Sequence, residues 1–149
     1  MQQMRDSWRA VIERELTRYA TETFGTAQAA ESAFPLAVQK PPKSELGDLA
    51  FPLFVFAKAF RMAPQKLAQV LKDRLSLCDD VPKGELLTAG PYLNVRVDMA
   101  ELANRVNEQV ARMGSSYGNT DLMASKRVMV EFSCPNTNKP LHLGHMRND

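Results

Sequence analysis

The sequence predicts an α+β fold. A small module over residues 1–113, helices packed on a small antiparallel sheet, is followed by the first strand, loop and helix of a nucleotide-binding α/β sheet. Three observations carry this. Apolar residues three and four apart mark amphipathic helices at both ends of the module. Short apolar runs around turn residues lie between them. Beyond a small, polar segment, an apolar run leads straight into a loop and a helix start.

Taken in order, Met4, Trp8, Val11, Ile12, Leu16, Tyr19 and Ala20 recur at helical spacing, with Gly25 as the stop. Phe34-Pro35-Leu36-Ala37-Val38 has strand-like content, whereas Lys40-Pro41-Pro42-Lys43 is loop, because consecutive prolines remove backbone donors. Asp48 is placed to cap a helix over "LAFPLFVFAKAFRM", with Pro52 in its first turn. Pro64 opens a second helix carrying Leu67, Val70, Leu71 and Leu75. "ELLTAGPYLNVRVD" holds a turn at Ala89-Gly90-Pro91 and a strand in which Leu93, Val95 and Val97 alternate. Met99 to Met113 is helical, with Leu102, Val106 and Val110 on one face and Gly114 ending it. Residues 114–125, "GSSYGNTDLMAS", form a linker. Residues 126–149 open the second domain, with a strand at Arg127 to Phe132, a loop at Ser133-Cys134-Pro135-Asn136 and a helix starting near His142.

Composition narrows the class. The 149 residues are 44% hydrophobic, enough for a real core. Lys and Arg outnumber Asp and Glu by 19 to 17, so any anion binding must be local. Cys78 and Cys134 lie far apart without a CxxC pair, which argues against a disulfide framework or zinc ribbon. No apolar run approaches the roughly 20 residues needed to span a bilayer, and the N-terminus is amphipathic rather than signal-like. The expectation is a soluble, cytoplasmic protein.

The chemistry concentrates in "PNTNKPLHLGHMRND", residues 135–149. A loop leading into a helix start after a buried strand is a place for phosphate. His142 and His145 share a face there and can donate hydrogen bonds to phosphate oxygens, while Gly144 leaves the backbone bare for a flat adenine ring. Lys139 is either a cation for the triphosphate or a solvated loop lysine. Glu131, in an otherwise apolar strand, is either an edge-facing carboxylate or a ligand for a cationic substrate. The rival reading is metal, since His142, His145 and Cys134 offer three ligands; the lack of a nearby second cysteine or carboxylate at ligand spacing counts against it.

"HLGH" after "VMVEFSCPNTNKP" resembles the HIGH signature of class I aminoacyl-tRNA synthetases, and the extended string through Met146-Arg147-Asn148 resembles arginyl-tRNA synthetase in particular. "GDLAFPLFVFAKAFRMAPQKLAQVL" followed by "TAGPYLNVRVD" is similar to that family's additional N-terminal domain. The resemblance implies a small tRNA-binding N-terminal domain over residues 1–113, then the truncated start of a Rossmann-like catalytic domain at 126–149. A full-length enzyme would continue through that domain, a KMSKS-type loop and an anticodon-binding domain.

It further implies the reaction: ATP with Mg²⁺ activates arginine as an adenylate, and the arginyl group passes to tRNA(Arg). His142, His145 and Lys139 would be catalytic, with Gly144 completing the ATP site. Glu131, Ser133 and Asn136 would line the arginine pocket. No protein-ligated metal is expected, and the chain is expected to be monomeric and inactive in catalysis by itself. The N-terminal domain would contact the tRNA elbow at the D-loop through Lys40, Lys43, Phe51, Phe54, Lys58 and Arg61, residues able to bind phosphate or stack on bases. At Leu49 to Pro52 the chain departs from a polar "YQxN" found in some members, so shape and backbone contact are implied there. The competing classes are an HxGH nucleotidylyltransferase, whose motif lies close to the chain start, and a stand-alone tRNA-binding module. Because one strand and half a helix cannot bury their apolar faces alone, Val128, Val130, Phe132 and Leu143 are expected to be exposed.

Overall fold

The structure, a computed structural model, describes residues 2–31, 33–130, 138 and 140–148. It divides into two compact units, Met1–Ala111 and Arg112–Asp149.

The first unit begins with helix α1, Gln2–Phe24, whose stripe of Met4, Trp8, Val11, Ile12, Leu16 and Ala20 is buried. Gly25, at φ 72°, ends it as expected. A single turn, α2 at Gln28–Glu31, follows. The sheet has three antiparallel strands, β1 (Leu49–Pro52), β2 (Gly84–Ala89) and β3 (Tyr92–Val97), with β3 in the centre. Phe51 pairs with Leu93, and Leu86 with Val95. Helix α3, Pro64–Leu75, buries Leu67, Ala68, Leu71 and Leu75, and packs on β2, β3 and α1. Leu93, Val95 and Val97 point into one core with Trp8, Phe51, Phe56 and Phe60. Helix α4, Met99–Met113, closes the unit more loosely: Leu102 packs against the core while Val110 is exposed.

A charged clamp joins α1 to α3. Glu15 is buried, and its Oε1 accepts from Arg74 Nε at 2.5 Å. The same guanidinium reaches Glu22 Oε2 at 2.9 Å and lies 5.1 Å from the centre of the Tyr19 ring. Pairing is what makes a carboxylate tolerable at that depth.

Two expectations for this unit are corrected. "LAFPLFVFAKAFRM" does not form one helix: Leu49 to Pro52 is strand β1, followed by a 3-10 turn at Phe54–Phe56. Five consecutive residues, Leu49 to Leu53, are buried, a pattern no single helix face provides. Asp48 therefore caps no helix; its Oδ2 accepts from the Val97 N–H at 2.9 Å. Nor is Phe34 to Val38 a strand. Its backbone is taken by side chains of α1: Leu36 N–H donates to Glu13 Oε1 at 2.6 Å, and the Val38 carbonyl accepts from Arg5 at 2.9 Å. Only Gln39 pairs with the sheet, opposite Ala50.

In the second unit, 3-10 turns at Gly114–Ser116 and Asp121–Met123 precede helix α5, Leu143–Asn148. The strand expected at Arg127 to Phe132 is not formed over residues 127–130, and residues 131 and 132 lie outside the described ones. An extended segment needs a neighbour for its N–H and C=O groups, and the three described strands pair with one another. Val128 and Val130 are exposed, as is Leu143; Phe132 lies outside the described residues. Among the described residues no helix is long and apolar enough to cross a membrane.

Candidate functional site

The site is built on the outer face of the sheet. Alternation along β3 sends Leu93, Val95 and Val97 into the core, and hence Tyr92, Asn94 and Arg96 to the other face. The segment 39–48 is laid over that face and fixed there. Gln39 and Ala50 exchange N–H to O bonds at 2.9 Å, and the Asp48 N–H donates to the Val95 carbonyl at 2.8 Å. Gly47, at φ 96°, makes this approach possible, since a Cβ would stand 2.7 Å from the Val95 oxygen. Arg96 holds the Glu45 carbonyl at 2.9 Å and the Glu85 carboxylate at 2.6 Å.

Two hollows share the segment Gln39-Lys40-Pro41-Pro42 in their lining. The smaller, about 310 Å³, is lined by Lys40, Leu46, Ala50, Tyr92 and Asn94 among others. That is the scale of a small-ligand pocket. The larger, about 610 Å³, is lined by residues including Arg5, Lys40, Ser44, Gly47 and Asp48.

Asn94 is the unusual member. It is only 2% exposed. Its Nδ2 donates to the Leu46 carbonyl at 2.9 Å, which fixes the orientation of the amide because a carbonyl can only accept. Its Oδ1 is buried and has no hydrogen-bond partner among the described residues. Leaving such an acceptor unpaired costs about 1–3 kcal/mol, which sets Asn94 apart among the residues that line the hollow. Tyr92 lines the same hollow, and its ring meets Phe54 edge to face at 6.1 Å.

The sequence-expected residues distribute unevenly around this surface. Lys40 lines both hollows, and Lys43 is exposed at the start of the 3-10 turn Ser44–Leu46. Phe54 is half exposed beside Tyr92. Lys58 and Arg61 are exposed in the turns that follow, Arg61 with φ 49°. Phe51 is a correction: it is 0% exposed, part of the core, and has no face on which a base can stack. Sequence reading missed Tyr92 and Asn94. The available signal was the asparagine itself, a poor strand former in the middle of "YLNVRV".

In the second unit, His142 and His145 are brought together, with ring centroids 4.0 Å apart. His145 Nδ1 accepts from the His142 N–H at 3.0 Å, and His142 Nδ1 accepts from the Gly144 N–H at 3.1 Å. With both Nδ1 atoms accepting, each imidazole carries its proton on Nε2, where it can donate. A side chain at Gly144 would meet the His142 ring at 2.9 Å. Glu131, Ser133, Asn136 and Lys139 lie outside the described residues.

Fold and site together define a small α+β domain with a polar-floored hollow on the outer face of its sheet. Residues 6–97 match the family model of the arginyl tRNA synthetase N terminal domain, and the chain belongs to that family. Among its relatives, an arginine--tRNA ligase of Treponema denticola is 41% identical over 150 residues, covering 100% of this chain and 25% of that protein. The Treponema pallidum arginine--tRNA ligase is 39% identical over 153 residues, with the same coverage of 100% and 25%. A solved Thermus thermophilus arginyl-tRNA synthetase is 28% identical, covers 94% of this chain and 21% of its own, and superposes with a TM-score of 0.42. The chain thus spans about a quarter of the length of the curated relatives it matches.

Proposed function

We propose that this chain is the tRNA-facing beginning of an arginine--tRNA ligase: residues 1–113 a tRNA-binding domain, 114–125 a linker, and 126–149 the start of the catalytic domain. The observation that carries the binding role is the hollow lined by Tyr92 and Asn94, where Asn94 keeps an amide oxygen without a partner among the described residues. An unstacked nucleobase of the tRNA elbow suits it, offering an N–H to Asn94 and apolar faces to the Tyr92 and Phe54 pair. Lys40, Lys43, Lys58 and Arg61 supply cations for the phosphates around it.

In the parent reaction the arginine carboxylate attacks the α-phosphorus of ATP and the bond to pyrophosphate breaks; a hydroxyl of the terminal ribose of tRNA(Arg) then attacks the arginyl carbonyl, and AMP leaves. His142 and His145 suit that step because their Nε2–H groups are set in advance to donate to phosphate oxygens as charge builds on them. Mg²⁺ would neutralise the triphosphate. Lys139 would assist at the phosphates, Gly144 would let the adenine approach, and Glu131, Ser133 and Asn136 would hold the arginine, its guanidinium facing the Glu131 carboxylate. The cytoplasm is the fitting compartment for this work.

A gel-shift series with a tRNA(Arg) transcript tests the binding role. The chain should bind at low salt, and Asn94→Ala should weaken it about five- to tenfold, the worth of one buried hydrogen bond. Undetectable binding by the wild-type chain, or equal binding by the variant, would overturn it.

A further inference from the structure

The base hollow leaves unexplained its larger neighbour, which shares the lining Gln39-Lys40-Pro41-Pro42 with it. We infer that this second hollow seats a phosphodiester of the RNA strand whose base enters the first, with Arg5 of α1 as its main ligand. The inference rests on the tRNA reading above.

Arg5 is distant in sequence from every residue expected to meet RNA, and only the fold brings it beside Lys40. Its guanidinium is held in place: one nitrogen donates to the Val38 carbonyl at 2.9 Å, and Nε is buried without a partner among the described residues. With one terminal N–H committed and the Nε–H buried, three of the five N–H groups, all on the two terminal nitrogens, are left to meet a phosphate from an anchored guanidinium. Lys40 adds a second cation and Ser44 a hydroxyl. Asp48 also lines the hollow, but its Oδ2 is tied to the Val97 N–H, and with Arg5 and Lys40 in the same lining the hollow keeps one net positive charge. Gln39, Lys40, Pro41 and Pro42 border both hollows, so the two are adjacent and a single nucleotide can place its base in one and its phosphate in the other.

The test is the salt dependence of tRNA(Arg) binding by the whole 149-residue chain. Each phosphate contact contributes about 0.7–0.9 to the slope of log K against log salt. Arg5→Gln should lower the slope by about that amount, and Arg5→Lys, which keeps the charge but loses the fork, should retain the slope with weaker binding. Asn94→Ala should weaken binding without changing the slope. A purely structural Arg5 would make Gln and Lys variants alike, and that result, or an unchanged slope in Arg5→Gln, overturns the inference. If Arg5→Gln melts below the assay temperature, Ser44→Asp takes its place: a carboxylate at this exposed position should weaken binding several-fold with no change in melting, and equal affinity would refute the seat. Inorganic phosphate displacing tRNA more than chloride at equal ionic strength would assign the hollow to free phosphate instead. A lowered slope in Arg5→Gln with no effect of Asn94→Ala would sink the base reading and leave the phosphate seat standing; no tRNA binding by the wild-type chain sinks both.

Discussion

Trp8, Phe51 and Leu93 in the unit Met1–Ala111 have no exposed surface, whereas Leu122, Met129 and Leu143 in Arg112–Asp149 are each more than four-fifths exposed. Both units contain apolar residues at regular spacing. What separates them is the second layer. In the first unit α1 and α3 cover one face of the sheet, and every strand has a partner. The second offers a short helix and an extended run without a strand partner among the described residues. The range matched by the family model, residues 6–97, falls wholly inside the first. A motif can thus hold its local geometry, as His142 to His145 do, without the burial that makes a domain.

The hardest blow to this contrast comes from the core of the first unit. Phe51→Ala should cost about 3–5 kcal/mol, because a fully buried ring at the β1 to β3 pairing is replaced by a cavity. Urea unfolding followed by circular dichroism measures it. A loss below about 1 kcal/mol would place Phe51 at the surface and return it to the RNA-facing set.

Much of the first unit was legible in the sequence where periodicity and punctuation agree. The stripe from Met4 to Ala20 with Gly25 gives α1, Pro64 gives the start of α3, and the turn at Gly90-Pro91 with the alternation of Leu93, Val95 and Val97 gives β3, whereas β2 was not read as a strand. Leu49 to Leu53 was misread because a short, continuous apolar run has no period, and the partner that makes it a strand is forty residues away in β3. The site was partly legible for a similar reason. Lysines and a loop of prolines announce themselves, but Asn94 matters only because the segment from Gln39 to Asp48 folds over it, and Arg5 only because α1 runs past Lys40. Contacts across the fold are invisible to spacing.

A smaller effect is expected where the first unit buries charge. Glu15→Gln leaves Arg74 with Glu22 and the Tyr19 face but removes its buried partner, and should cost about 1–3 kcal/mol, below the figure for a fully buried pair because Arg74 is a quarter exposed. The same clamp sets an acid dependence. The hydrogen bond from Arg74 holds the Glu22 carboxyl below its ordinary value, against the opposing effect of desolvation. A carboxyl depressed in the folded state stabilises it fully above the unfolded value of 4.5, and that share is lost as pH falls through the lower folded value. Melting temperatures from pH 7 down to pH 3 should therefore fall less in Glu22→Gln than in the wild-type chain. Parallel curves would remove Glu22 from the clamp.

The smallest effect should come from the second unit, and it is the sharpest test of the contrast. Leu143→Ala deletes as much apolar side chain as a core leucine would, yet Leu143 is 83% exposed. Burial that does not exist cannot be lost, so the change should stay within about 0.5 kcal/mol, against 2–5 kcal/mol for the same substitution at the fully buried Leu93. Parallel urea titrations of the two variants decide it. A cost at Leu143 comparable to that at Leu93 would mean that the second unit has a core of its own, and the distinction between a folded domain and an exposed motif would fall.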